Sequence, residues 1–462
     1  MKGQQLPKGF SYVAAGMLKH RFAGYCVYIK YRKGASAIKV IYRDRHSIMF
    51  SCPDRELFIV RQSYDCFVAH PFAAGYDECI DLDVYHDAVS KALGIDYIMT
   101  NYAHDSRNTT LRTTSTLEPS SRIQVLSDSG GLQLYRGQTD IIHPKALVNY
   151  YNTNVDAGMV LDLPPVYESK TVSLERLAIL QKRNNDVMLE HAKGIELINI
   201  FHGMTTEERR FYRSIVDDPR INRVAIASIN VDRVVWSVDS VYDYILNSDY
   251  KQYHILGVFK AHLIPLFIRM ANTGKKPHIT VDSSSHVQSA ICRAYHIQFG
   301  SESISRRLSM GKLDSPENSR KLLPCQCYVC TALKYNDILG IGPEPYSSRL
   351  LSVHNAYEMA RYCHQLQEYH NNLPLEEYKK IVYRQLSDHP KLLEVKQGFD
   401  YIDILLDKGL KAARRKYKNL ISYSTEERDR KYADKGSLFG DVKTQESNTI
   451  FENLVIRMEN QL

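Results

Sequence analysis

No apolar run in this chain approaches the roughly 20 residues that a membrane-crossing helix needs, and no signal-peptide pattern stands ahead of its cysteines. A membrane span and a secreted scaffold are therefore not expected, and the cytoplasm is the expected compartment. Cysteine usage agrees. The nine cysteines are odd in number, and Cys26, Cys52, Cys66, Cys79, Cys292 and Cys363 are scattered along the chain, which suits a reducing environment better than a disulfide framework. Internal repeats and low-complexity tracts are also missing, which speaks against a solenoid. A large excess of one charge is absent too: the net charge is +8 and the pI near 8.8, a balance that permits a nucleic-acid partner without demanding one.

What is present is a globular composition, 44% hydrophobic and 24% charged over 462 residues, enough for one large domain with appendages or for two or three domains. Residues 1–94 alternate short apolar runs, such as Tyr25-Cys26-Val27-Tyr28-Ile29, with polar turns, and add a helical pattern near 86–93. They read as a mixed β segment packed on the domain that begins at Ile95, with Tyr, Arg and Lys residues facing either solvent or a nucleic acid.

From Ile95 a rhythm sets in. Seven short apolar runs, 96–100, 123–128, 158–162, 196–202, 223–228, 254–258 and 278–282, mostly alternate with helix-like segments such as 172–193, 205–216 and 259–273. That order predicts parallel β/α architecture with a sheet buried on both faces. A (β/α)8 barrel of the TIM type over 95–303 is the expected fold, with Tyr295-His296-Ile297-Gln298 as candidate eighth strand; a doubly wound open sheet has much the same periodicity. Asp128, Asp162, His202, Ser228 and Asp282 each close an apolar run, where barrel enzymes carry their active sites. Residues 101–122, rich in Ser, Thr, Arg and Asn, read as a long loop that orders around a ligand.

Residues 304–365 form a second expected unit. Cys325-Gln326-Cys327-Tyr328-Val329-Cys330 follows Pro324, and His354 comes twenty-four residues later. Three thiolates and an imidazole make a closed tetrahedral zinc site, which leaves no position for water and makes the metal structural. Ordinary buried thiols are the plainer alternative. Beyond it, 366–462 is expected to be a helical, basic extension, with helices over 356–370, 375–387 and 398–418. The last carries Lys408, Lys411, Arg414, Arg415, Lys416 and Lys418, able to grip phosphates or simply to solvate an amphipathic helix.

The chemistry concentrates on three aspartates. Ser127-Asp128-Ser129-Gly130-Gly131-Leu132-Gln133 follows a strand directly, and its glycines allow a sharp turn and a close backbone approach to a ligand; a plain turn with a helix-capping Asp or Ser has the same letters. Asp282, after His278-Ile279-Thr280-Val281, can attack an anomeric carbon while a second carboxylate handles the proton. Asp162 can accept hydrogen bonds from the N–H edge of a purine-like base. Three aspartates on separate strand ends are more than helix capping predicts.

Taken in order, Ser-Asp-Ser-Gly-Gly-Leu-Gln, Val-Leu-Asp, Ile-Phe-His-Gly, Ile-Leu-Gly-Val, Val-Asp and the Cys-x-Cys-x2-Cys…His set resemble the tRNA-guanine transglycosylase superfamily over roughly residues 95–365. The resemblance implies a (β/α)8 barrel with a zinc subdomain, and exchange of a guanine in a polynucleotide for a 7-deazaguanine without strand cleavage. It implies that Asp282 is the nucleophile at C1′, Asp128 the general acid/base and Asp162 the carboxylate that selects the guanine edge. It also puts Ser129, Gly130 and Ser228 beside the base, Leu256 beneath it, and His202 where bacterial tRNA enzymes have Gln. One covalent intermediate shared by two half-reactions makes the kinetics ping-pong.

Several positions depart from the tRNA-modifying enzymes. Leu132 stands where they have an aromatic residue over the base, Ser228-Ile229 where they have Gly-Gly, and Ser283-Ser284-Ser285-His286-Val287-Gln288 where a Pro-Thr-Arg type segment reads the anticodon loop. Residues 365–462 do not resemble the RNA-binding domain of archaeal relatives. These departures resemble the paralogues of bacteriophages and bacterial genomic islands that insert 7-deazaguanines into DNA, so DNA is the expected partner and tRNA the alternative. The resemblance leaves open a homodimer, helper proteins, and a non-catalytic binding subunit that keeps the fold.

Overall fold

A computed structural model describes residues 9–15, 25–32, 39–43, 47–51, 55–61, 78–81, 97–105, 124–135, 139–165, 172–227, 229, 231–291, 294–297, 306–309, 346–422 and 444–460. Its centre is a closed barrel of eight parallel strands. They are β1 (Phe10–Ala15), β7 (Tyr97–Asn101), β8 (Gln124–Asp128), β9 (Ala157–Met159), β10 (Glu196–Phe201), β11 (Arg223–Ile226), β12 (Gln252–Ile255) and β13 (His278–Ser283). Each of the seven expected runs overlaps a barrel strand, although 158–162 and 254–258 extend past the ends of β9 and β12, and closure excludes the open-sheet alternative.

The eighth strand lies elsewhere than expected. Phe10–Ala15 pairs in parallel with β13 on one side, Phe10 opposite Ile279, and with β7 on the other, Val13 opposite Tyr97. The barrel therefore begins at residue 10, not 95. Tyr295-His296-Ile297 belongs instead to β14 (Ala294–Ile297), an antiparallel partner of β15 (Arg306–Ser309) in a separate two-stranded sheet. Between β1 and β7 the chain forms a five-stranded antiparallel sheet from β2 (Tyr25–Tyr31), β3 (Lys39–Arg43), β4 (Ser47–Ser51), β5 (Arg55–Arg61) and β6 (Glu78–Asp81), in the order β3-β4-β5-β2-β6. It fits the β character expected for this region, and it is inserted after the carboxyl end of a barrel strand. The helical pattern near 86–93 and most of the 101–122 loop lie outside the described residues.

The barrel helices start where local chemistry starts them. Leu174–His191 is capped by Ser173, whose Oγ accepts from the Arg176 N–H at 3.1 Å. Thr206–Val216 has a reciprocal capping box between Thr205 and Glu208. Pro144 opens Pro144–Asn154, where its missing N–H costs nothing. Val234–Leu246 is buried along nearly its whole length because it is covered twice, by the barrel within and by the carboxyl-terminal helices outside.

Those outer helices are Tyr346–Asn372, Leu375–Gln385, Leu392–Lys408 and Leu410–Lys416, with Thr444–Glu459 further on. Gln367 ties the first of them to β1: its Oε1 accepts from the Phe10 N–H at 3.1 Å. The single helix expected over 398–418 is broken at Gly409, whose φ of +80° departs from helical geometry. The break turns Arg414 inward. Its guanidinium donates to Asp239 at 2.6 Å and 3.1 Å and to Asp243 at 2.8 Å, while Lys416 pairs with Asp400 at 2.6 Å. Part of the charge expected to face phosphates thus docks the extension onto the barrel. Among the described residues no helix is long and apolar enough to cross a membrane.

Candidate active site

The carboxyl ends of parallel strands define one mouth of the barrel, and Asn101, Asp128, Asp282 and the turns after β9, β10 and β12 meet there. Asp128 ends β8 and is half-buried. Asn101, opposite it at the end of β7, donates through Nδ2 to Asp128 Oδ2 at 2.6 Å. Burial pushes the Asp128 carboxyl up to about 7, the nearby charges of Asp162 and Asp282 push the same way, and the Gly130 N–H and Asn101 oppose them. Asp128 thus lies within electrostatic reach of both other aspartates.

The glycines after Asp128 serve two needs. Gly130 has a φ of +86°, and a side chain there would strike Ala103. At Gly131 a Cβ would lie 2.1 Å from the Asp162 carbonyl oxygen, so only glycine lets this turn press against the segment after β9 that bears Asp162. That closeness brings Ser129 Oγ to Asp162 Oδ1 at 3.2 Å. The other oxygen, Oδ2, lies 2.8 Å from His202 Nε2. Asp162 and His202 are both buried, and the His202 ring meets Tyr212 edge-on at 5.4 Å between centroids. The result is a carboxylate held on both oxygens, with acceptor capacity left for a ligand's N–H groups.

Asp282 is held from the opposite wall. Its Oδ1 lies 3.1 Å from His254 Nε2 and accepts from the Gly257 N–H. Gly257 can direct that N–H because its φ is +68°. Among the described residues no donor reaches Oδ2, which stays available to an electrophile. Leu256, half-buried beside this turn, is anchored by its N–H to the Ile226 carbonyl at 3.1 Å.

The structure thus gathers Asp128, Ser129, Gly130, Asp162, His202, Leu256 and Asp282 around one mouth. Ser228 lies outside the described residues, as do Cys325, Cys327 and Cys330. Asn101, His254 and Gly257 were not anticipated from the sequence. A signal for His254 existed: Gln252 and His254 on β12, and His278, Thr280 and Asp282 on β13, alternate with apolar residues, the period of a strand face turned into the barrel.

Neither models of known protein families nor curated proteins match this chain.

His354, the fourth residue of the zinc set, can be tested on geometry. It is fully buried in Tyr346–Asn372, and its Nε2 lies 2.7 Å from the His296 carbonyl oxygen. A metal-bound imidazole characteristically gives its second N–H to such a carbonyl, which fixes the ring and directs the other nitrogen at the ion. The contact of His354 with the His296 carbonyl is of the kind a ligand imidazole makes.

Proposed function

We propose that the chain is a guanine transglycosylase that exchanges guanine for a 7-deazaguanine base in DNA, through a covalent sugar ester on Asp282. The observation that carries this reading is the convergence of three carboxyl groups in unlike environments. Asp128 is raised to about 7 by burial and by its two acidic neighbours, the range in which a group can both give and take a proton near neutrality. Asp282 has one oxygen held by the Gly257 N–H and by contact with His254 Nε2, and the other open, as a nucleophile requires. Asp162, clamped by Ser129 and His202, suits a guanine-like N–H edge.

In the first half-reaction Asp282 Oδ2 bonds to C1′ as the C1′–N9 bond breaks. The electrons of that bond leave with the purine, which takes a proton from the Asp128 carboxyl. In the second, the Asp128 carboxylate takes the N9 proton of the incoming 7-deazaguanine, whose N9 displaces Asp282 from C1′. Two displacements retain the configuration of the sugar. Zinc on Cys325, Cys327, Cys330 and His354 would brace the subdomain and take no part in these steps.

DNA is favoured over tRNA by the segment after the nucleophile. His286, in the place of the anticodon-reading stretch of tRNA enzymes, is fully buried, its Nδ1 3.1 Å from the Tyr12 hydroxyl, and so is not presented for reading an anticodon. A paired guanine must be flipped out to reach the mouth. The test is incubation with labelled 7-deazaguanine and duplex DNA, single-stranded DNA or tRNA. Label in DNA is expected. Label in tRNA alone overturns the DNA assignment, and label in no polymer overturns the exchange reaction.

A further inference from the structure

A file of buried polar side chains runs up the inside of the barrel to Asp282. Arg223, on β11, donates through Nη1 to Gln252 Oε1 at 3.0 Å. Gln252 Nε2 donates to Thr280 Oγ1 at 3.0 Å. Thr280 Oγ1 lies 2.9 Å from His254 Nδ1, and His254 Nε2 lies 3.1 Å from Asp282 Oδ1. Thr280 and His254 are fully buried, Gln252 is 1% exposed and Arg223 5%, so water does not compete along the file.

The direction of each bond follows from its first member. A guanidinium only donates, so the Gln252 amide must turn its oxygen to Arg223 and its NH2 to Thr280. The Thr280 oxygen then accepts from Gln252. Among the described residues its own proton has one acceptor, His254 Nδ1. An imidazole that accepts at Nδ1 carries its proton at Nε2, which faces Asp282. We propose that Arg223, Gln252 and Thr280 form a polarised hydrogen-bond chain that sets the tautomer of His254, and that His254 is thereby the positioning residue of the Asp282 carboxylate. A fixed N–H at Nε2, with the Gly257 N–H, locks Oδ1 and turns Oδ2 to the substrate. The opposite tautomer would set a nitrogen lone pair against a carboxylate oxygen.

The positioning role rests on Asp282 being the nucleophile; the tautomer does not, and the two are separable by experiment. Protein with 15N-labelled imidazoles is examined by long-range proton–nitrogen correlation, His254 being assigned by its loss in His254→Asn. The expected signature is a pyrrole-type Nε2 and a pyridine-type Nδ1. Gln252→Glu keeps the shape of the side chain but can only accept. It should take hydrogen bonds from both Arg223 and Thr280 and so place a proton on His254 Nδ1. Thr280→Ser, which retains the hydroxyl, should read as wild type.

A proton on Nδ1 of wild-type His254, alone or beside one on Nε2, overturns the chain. So does a Gln252→Glu protein whose His254 is unchanged. If that variant does not fold, the wild-type spectrum decides alone. In the base-exchange assay Gln252→Glu is expected to lower kcat by about tenfold to a hundredfold, by analogy with the loss of a hydrogen-bond partner that orients a metal-ligating histidine, with KM unchanged. An unchanged kcat overturns the positioning role, whereas a wild-type protein without exchange activity but with the expected tautomer refutes only the nucleophile.

Discussion

Replacing Asp128 by Asn should make the protein more stable at alkaline pH. The carboxyl ionises at about 7 in the folded chain against an ordinary value of 3.8. Between those two values the folded state holds a proton that the unfolded state has released. Stability must then fall as pH rises through this window, because the native state binds more protons. At about 1.4 kcal/mol per unit, a shift of this size corresponds to at most ~4 kcal/mol of destabilisation above pH 7. Asp128 is only half-buried, so about 2–3 kcal/mol is a more realistic figure once solvent relaxation is included. Asparagine has nearly the same shape, accepts one of the two bonds from Asn101 and Gly130, and carries no charge to desolvate. Urea midpoints of wild type and Asp128→Asn should therefore coincide near pH 4 and separate progressively to pH 8, with the variant the more stable. Equal midpoints at pH 8, or a less stable variant there, would refute the account of Asp128 as a raised, crowded carboxyl. The same substitution should depress base exchange by about a hundredfold to ten-thousandfold, a stability–activity opposition expected of a functional group.

Gly131→Ala should move the Ser129 turn away from Asp162, since its Cβ would sit 2.1 Å from a backbone oxygen; a loss of stability of about 1–3 kcal/mol together with a raised KM for the base is expected in denaturation and steady-state assays. Arg414→Met should leave Asp239 and Asp243 facing each other with, among the described residues, the more distant Arg209 and Arg210 and the Tyr401 hydroxyl to offset them, at a cost of about 3 kcal/mol, read as a lowered urea midpoint and faster amide exchange in 392–416. His354→Ala should lower the zinc content measured by atomic absorption, and chelation of wild-type protein should do the same more slowly at high pH than at low, because ligands must be deprotonated to hold the ion.

Much of the barrel was legible because its strands are local events. Each of the seven runs carries its own apolar signal, and the parallel β/α order follows from the helical segments between most of them. The first strand was not, for a physical reason: Phe10–Ala15 is separated from its sequence successor in the barrel, Tyr97–Asn101, by the inserted sheet, and only pairing across the closure marks it as part of the cylinder. Asp128, Asp162 and Asp282 were legible because acidic residues at the ends of apolar runs are conspicuous. His254 was not, since a polar residue inside a strand looks like an interruption until the strand is known to face an enclosed axis. Arg414 misled for a related reason: a basic helix reads as a surface until the acidic pair beneath it, Asp239 and Asp243, is brought up by folding.

The way the barrel shuts also sets a timetable for its birth. Phe10 leaves the ribosome before Ile279, its partner across the seam, which is polymerised roughly 15–50 s later at ordinary translation speeds. Until Ile279 emerges the seam cannot close, so whatever parallel sheet has formed by then keeps two bare rims, the kind of intermediate that chaperones bind and that sticks to its own copies.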